Sequence, residues 1–153
     1  MRSSIACVAF ALSCVSAPAL ADEAYVEAVG GVSFAHEEDA VVAGLAAGYD
    51  FDLNEVLFAG VEGTLEKELV EDRHFAAGIG VRVGASVTER GKAFVGLNWQ
   101  SKDCPECDEA WGFTTGFEQE LGEHLYAKLE YKHLILPEEP NKNIVIGGIG
   151  YMF

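Results

Sequence analysis

The sequence predicts an all-β chain, an eight-stranded antiparallel up-and-down transmembrane β-barrel. Three observations point there. Residues 1–21 have the layout of an export signal, residues 22–153 divide into eight alternating segments of roughly ten residues, and aromatic side chains gather at the segment ends.

At the amino end, Arg2 precedes the apolar run Ile5 to Leu12, and Ala19-Leu20-Ala21 follows as an Ala-x-Ala cleavage site. The run is far shorter than the ~20 residues a membrane helix needs. Lipidation at Cys14 is disfavoured by the order of small and aliphatic residues before it. The expected organisation is therefore a signal over residues 1–21 and one barrel domain over residues 22–153. Cleavage removes Arg2 and no acid, so the net charge of -15 becomes -16. Such a surface repels polyanions and excludes nucleic acid as a partner. Cys7 and Cys14 leave with the signal, which places Cys104 and Cys107 alone in an oxidising compartment.

The eight segments run over residues 24–34, 40–51, 56–66, 74–87, 92–101, 110–121, 124–134 and 143–153. Each is long enough to cross a bilayer as a tilted strand, for which about 9 to 11 residues suffice. In every segment one alternating set is apolar. It reads Val26, Ala28, Val32 and Phe34 in the first, Leu45, Ala47, Tyr49 and Phe51 in the second, and Leu57, Ala59, Val61 and Leu65 in the third. The fourth contributes Phe75, Ala77, Ile79, Val81 and Val83, the fifth Val95, Leu97 and Trp99, and the sixth Trp111, Phe113, Phe117 and Leu121. Leu125, Ala127, Leu129 and Tyr131 follow in the seventh, with Val145, Ile149, Tyr151 and Phe153 in the last. The opposite set carries Glu27, Glu62, Arg82, Asn98, Glu118, Lys128, Glu130 and Lys132 among many glycines. An apolar outside around a polar inside is the inverse of a soluble barrel. A lipocalin-like barrel alternates too but turns its apolar face inward. A helix over residues 40–47 is disfavoured by Gly44 and Gly48.

With both termini in the periplasm, Phe34, Phe75, Trp99, Trp111, Phe113 and Tyr131 fall at the outer interface. Tyr49, Phe51, Tyr151 and Phe153 fall at the inner one. Rings with an apolar body belong at such interfaces.

The sequence resembles the small outer-membrane β-barrel family that includes opacity-type proteins, OmpA-like barrel domains and short porin-family members. The likeness covers the whole of residues 22–153. It is carried by the signal, Ala24-Tyr25-Val26-Glu27-Ala28, Gly48-Tyr49-Asp50-Phe51, Gly60-Val61-Glu62-Gly63 and the closing Gly147-Gly148-Ile149-Gly150-Tyr151-Met152-Phe153. The resemblance implies a Gram-negative outer-membrane location and makes Tyr151 and Phe153 the signal read by the outer-membrane assembly machinery. It specifies architecture, not activity.

An eight-stranded barrel encloses little more than its own side chains, so Glu27, Glu62, Arg82, Glu118, Lys128, Glu130 and Lys132 are expected to pair as a plug. Counting back from the turn at Gly122-Glu123 sets Glu118 opposite Lys128 as a cross-strand ion pair. A narrow conducting path is the alternative, favoured by the inward glycines Gly44, Gly48, Gly60, Gly78, Gly80, Gly96, Gly116 and Gly148, which leave space for water. Tyr25, Phe58, Phe94 and Tyr126 all fall at periplasmic strand starts and are expected to close that mouth.

Acids concentrate in the outer loops, His36 to Asp39, Glu66 to Asp72, Lys102 to Glu109 and Leu136 to Lys142. They give a solvated, repulsive surface, or a site for divalent cations that bridge to lipopolysaccharide, since hard cations select carboxylate oxygen. No loop has calcium-loop spacing. Cys104 and Cys107 are expected to form a local disulfide. One Cys-x-x-Cys pair is only half of a tetrahedral metal site, and the acids around it oppose thiolate formation. A lipid A-modifying enzyme needs serine and histidine together at the outer interface. His133 is followed by Leu134 and Ile135, and Ser101 lies two strands away, so no enzyme, cofactor or resident metal is expected and the specific ligand stays open.

Overall fold

A computed structural model describes residues 23–34, 39–71, 73–104, 107–137 and 140–153. The expected signal segment lies outside these residues, as does most of the first acidic loop. Eight strands form: β1 (Glu23–Phe34), β2 (Asp39–Asp52), β3 (Leu57–Glu68), β4 (Ala76–Thr88), β5 (Gly91–Gln100), β6 (Ala110–Glu120), β7 (Leu125–Ile135) and β8 (Lys142–Met152). Each pairs antiparallel with the next, and β8 returns to β1 to close the barrel. Closure leaves no strand edge unpaired, which is what a sheet in hydrocarbon requires.

The periplasmic turns are short and chemically specified. Between β2 and β3 the Asn54 side-chain oxygen accepts the N–H groups of Val56 and Leu57 at 2.9 and 2.8 Å, an Asx-type turn. Arg90 and the segment around Gly122 make the other two. At the seam the Phe153 N–H donates to the Ala24 carbonyl at 2.9 Å, tying the carboxyl end to β1.

Alternation sorts the side chains as the sequence predicts. Leu45, Leu97 and Trp111 are 61 %, 63 % and 64 % exposed, whereas Glu27, Arg82 and Lys128 are 3 %, 5 % and 5 % exposed. A soluble barrel would hide the former and hydrate the latter, so the lipocalin-like alternative fails.

Two features differ from the expectation. β3 runs on to Glu68, and Glu66 and Glu68 are therefore buried in the barrel wall and not part of an acidic outer loop. The reason is pairing: Val42 and Gly44 of β2 stand opposite Glu68 and Glu66, which extends the ladder past the predicted end. The lumen is also not uniformly polar. Val29, Val42, Ala110, Leu134, Ile144 and Ile146 pack together inside its outer half.

Candidate functional site

The lumen is filled in layers, and the periplasmic layer is built by register. Tyr25, Phe58, Phe94 and Tyr126 begin the odd-numbered strands, point inward and are buried. Each faces a glycine on the next strand: Tyr25 opposite Gly48, Phe58 opposite Gly84, Phe94 opposite Gly116 and Tyr126 opposite Gly150. The ring occupies the space where a Cβ on that glycine would lie. Glycine on a strand allows such close approach, and a cross-strand aromatic covers the backbone it leaves bare.

Arg82 sits at the centre of this layer. Its guanidinium carbon lies 4.6, 5.0 and 5.6 Å from the ring centroids of Tyr25, Phe94 and Phe58. Its Nε and Nη2 donate to the two oxygens of Asp50 at 3.0 and 2.7 Å, and its Nη1 donates to Glu118 at 2.5 Å. A planar fork matches a carboxylate in this two-point way while its faces stay free for aromatic stacking.

Above it, Lys128 contacts Glu130 at 2.7 Å, Glu27 at 2.9 Å and Glu62 at 3.4 Å. Lys132 contacts Glu66 at 2.5 Å and Glu130 at 3.8 Å. Glu62 also lies 4.0 Å from Arg82, so one chain of ion pairs runs from Asp50 to Glu66 along the barrel axis. Six carboxylates share three cations in this chain, and hydroxyls supply further donors. Tyr25 donates to Glu62 and Tyr126 to Glu27, both at 2.8 Å, and Thr114 to Glu130 at 2.7 Å.

The expected Glu118–Lys128 pair needs correction. The two residues are register partners, but Glu118 turns to Arg82 and Lys128 to the carboxylates above it. A bidentate-capable guanidinium one layer down outcompetes the neighbour across the strand. Seven of the eight inward glycines are also not water space, whereas Gly80 lines a void of about 20 Å³. Gly48, Gly60, Gly116 and Gly148 are covered by Tyr25, Asp50, Phe94 and Glu27, and Gly44, Gly78 and Gly96 by Glu66, Thr64 and Thr114. With Glu66, Asp50 is a member of this ion-pair chain that the sequence reading left out of the lumen. Its parity between Tyr49 and Phe51 was the signal that pointed it inward.

At the outer mouth lies a second cluster of ion pairs. Glu68 contacts Lys142 at 2.9 Å and Arg73 at 3.5 Å, and Asp103 contacts Arg73 at 2.6 Å and Lys142 at 3.7 Å. Among the described residues, voids of about 20 Å³ lie beside Asn98 and Glu62 and beneath this cluster. Each is about the size of one water.

The sequence model of the outer membrane protein beta-barrel domain matches residues 7–153. The chain belongs to that family. It is accordingly a Gram-negative outer-membrane protein, and the barrel's exposed apolar face is its lipid contact. No curated protein matches the chain by sequence. Solved structures share the architecture at low identity. The N-terminal β-barrel domain of Pseudomonas aeruginosa OprF is 13 % identical with a TM-score of 0.56, over 86 % of this chain and 97 % of that one. Ail of Yersinia pestis is 12 % identical at 0.54, and Neisserial surface protein A 14 % identical at 0.53, each over the same shares. At such identities they show the fold.

In this outer-membrane barrel Cys104 and Cys107 are joined by a disulfide. Its sulfurs lie with the Asp103 carboxylate within 4.8 Å of one another, but as a disulfide they are not metal-binding thiolates. The Arg73 Nη1 donates to the Cys107 sulfur at 3.1 Å as well as to Asp103, so the disulfide turn is docked on the mouth cluster. Mass spectrometry of protein isolated from outer membranes under non-reducing conditions should find no free thiol. Ser101 and His133 are not brought together. The Ser101 hydroxyl accepts the Ala77 N–H at 2.9 Å, while His133 bonds to Asn143 at 2.7 Å.

Proposed function

We propose that this outer-membrane protein is a closed structural barrel that presents an acidic surface to the exterior and does not act as a channel. The observation that carries the reading is the ion-pair chain from Asp50 to Glu66, capped by four aromatics below and the Glu68–Lys142–Asp103–Arg73 cluster above. The lumenal residues Glu27, Glu62, Arg82, Glu118, Lys128, Glu130 and Lys132 form the plug, and Tyr25, Phe58, Phe94 and Tyr126 close its periplasmic end. Moving an ion through this column would break buried pairs whose desolvation costs several kcal/mol per ion.

Outside, Asp39, Glu71, Asp108 and Glu109 remain on the rim, away from the paired lumen. They suit divalent cations that bridge to lipopolysaccharide phosphates. Ail has been solved with the heparin analogue sucrose octasulfate. A polyanion of that kind is a poor partner for a chain of net charge -15. Residues 1–21 serve as the export signal, and Tyr151 and Phe153 as the segment the assembly machinery reads. Amino-terminal sequencing of the exported protein should begin at Asp22.

The deciding experiment is conductance of the refolded protein in planar bilayers, after a heat-dependent gel shift has verified folding. The trace is expected to stay at the lipid baseline. Steady unitary steps would refute the closed barrel.

A further inference from the structure

Three polar side chains stand together on the lipid-facing wall, outside the lumen. Tyr131 and His133 of β7 and Asn143 of β8 all occupy outward positions near the outer end of the barrel. The Tyr131 hydroxyl donates to the Asn143 Oδ1 at 2.7 Å, and His133 Nδ1 lies 2.7 Å from the same oxygen. A carbonyl oxygen only accepts, so Nδ1 carries the imidazole proton. Among the described residues, the hydrogen-bonding capacity not used in this triad is then the His133 Nε2 lone pair, a lone pair on the Tyr131 hydroxyl oxygen and the two N–H groups of the Asn143 amide, so acceptors stand with donors.

The flanks are aromatic. Phe113 is the register partner of His133, with ring centroids 5.1 Å apart, and Phe34 is the register partner of Asn143 on the other side. Trp111, on the strand of Phe113, is 64 % exposed. Polar groups facing lipid need partners, because hydrocarbon provides none. At the outer interface those partners are headgroups.

We propose that the His133–Asn143–Tyr131 triad is a contact site for a sugar hydroxyl of the outer-leaflet glycolipid, with Phe113 and Phe34 against the sugar's apolar faces. A hydroxyl both donates and accepts, and so matches an acceptor beside a donor. A phosphate oxygen only accepts and would leave Nε2 facing a second lone pair. The site deepens the lipopolysaccharide contact proposed above, but lies on the wall and not on the acidic rim. Whether the lumen conducts does not bear on it.

The test uses the protein refolded into phosphatidylcholine nanodiscs, with nitrogen resonances of the His133 and Asn143 side chains as readout. Adding lipopolysaccharide lacking O-antigen is expected to shift both resonances. The shift should survive dephosphorylation of that glycolipid and chelation of divalent cations, and should not appear with phosphatidylglycerol. The double variant His133→Phe and Asn143→Leu places apolar groups against lipid, in keeping with the apolar side chains exposed on the rest of the outer wall. It is expected to co-purify at least twofold less lipopolysaccharide, with its gel shift retained. A shift lost on dephosphorylation, lost on chelation or reproduced by phosphatidylglycerol would overturn the proposal, as would unchanged co-purification.

Discussion

Replacing Arg82 with methionine is expected to destabilise the refolded barrel by about 3–5 kcal/mol, read as a shift of the urea midpoint in lipid vesicles. Methionine keeps much of the volume and abolishes the charge. Asp50, Glu118 and Glu62 then face one another inside the barrel with no guanidinium between them. Because six carboxylates already share three cations in this chain, losing a cation is the worse of the two possible deletions. Glu118→Gln keeps the shape and relieves the surplus, so its loss should be well under half that of Arg82→Met. Arg82→Lys should recover only part, since a point charge cannot bond both oxygens of Asp50 and reach Glu118 at once. Equal midpoints for Arg82→Met and the parent would show that the pairs carry no net stability.

Gly116→Val is expected to cost about 3 kcal/mol or to prevent refolding altogether, measured by the same titration. A Cβ at this position meets the ring of Phe94 and, at 2.7 Å, the Leu129 carbonyl oxygen of the neighbouring strand. The ring can swing away only by leaving the layer around Arg82, and the carbonyl is held in the sheet. Gly30→Ala is the control. It faces lipid, the nearest atom to its new Cβ is 3.9 Å away, and its midpoint should move by less than about 0.5 kcal/mol. If both substitutions had the same effect, the sockets would have no packing role.

Much of the fold was legible because lipid imposes a period of two along every strand. Val26 out and Glu27 in can be read without a structure, and so can the inward position of Tyr25 or Lys128. Register around the barrel is what alternation leaves open. Gly116 and Phe94 were both placed inward, yet only their position opposite each other turns the glycine from a gap into a socket. Glu118 shows the same limit: counting from a turn found its neighbour Lys128, while its partner Arg82 comes from a non-adjacent strand. The charge of Glu66 and Glu68 resembles that of the rim and predicts loop acids. The ladder with Val42 and Gly44 carries them inside, where Lys132 and Lys142 meet them. The triad on the outer wall escaped for a related reason, since Asn143 and His133 become neighbours only through the β7–β8 register.

The aromatic-on-glycine pairs also set a limit on size. Each hairpin joined through an outer loop brings one ring and the glycine that receives it, so stoppers accumulate in proportion to hairpin number. Barrel diameter grows in the same proportion, and cross-section therefore grows as its square. Four hairpins put three of the four rings within reach of a single guanidinium. A fifth built on the same rule would add one ring to an area enlarged by more than half, and the floor would open. On the closed-barrel proposal, the pattern seals at this circumference and at no larger one.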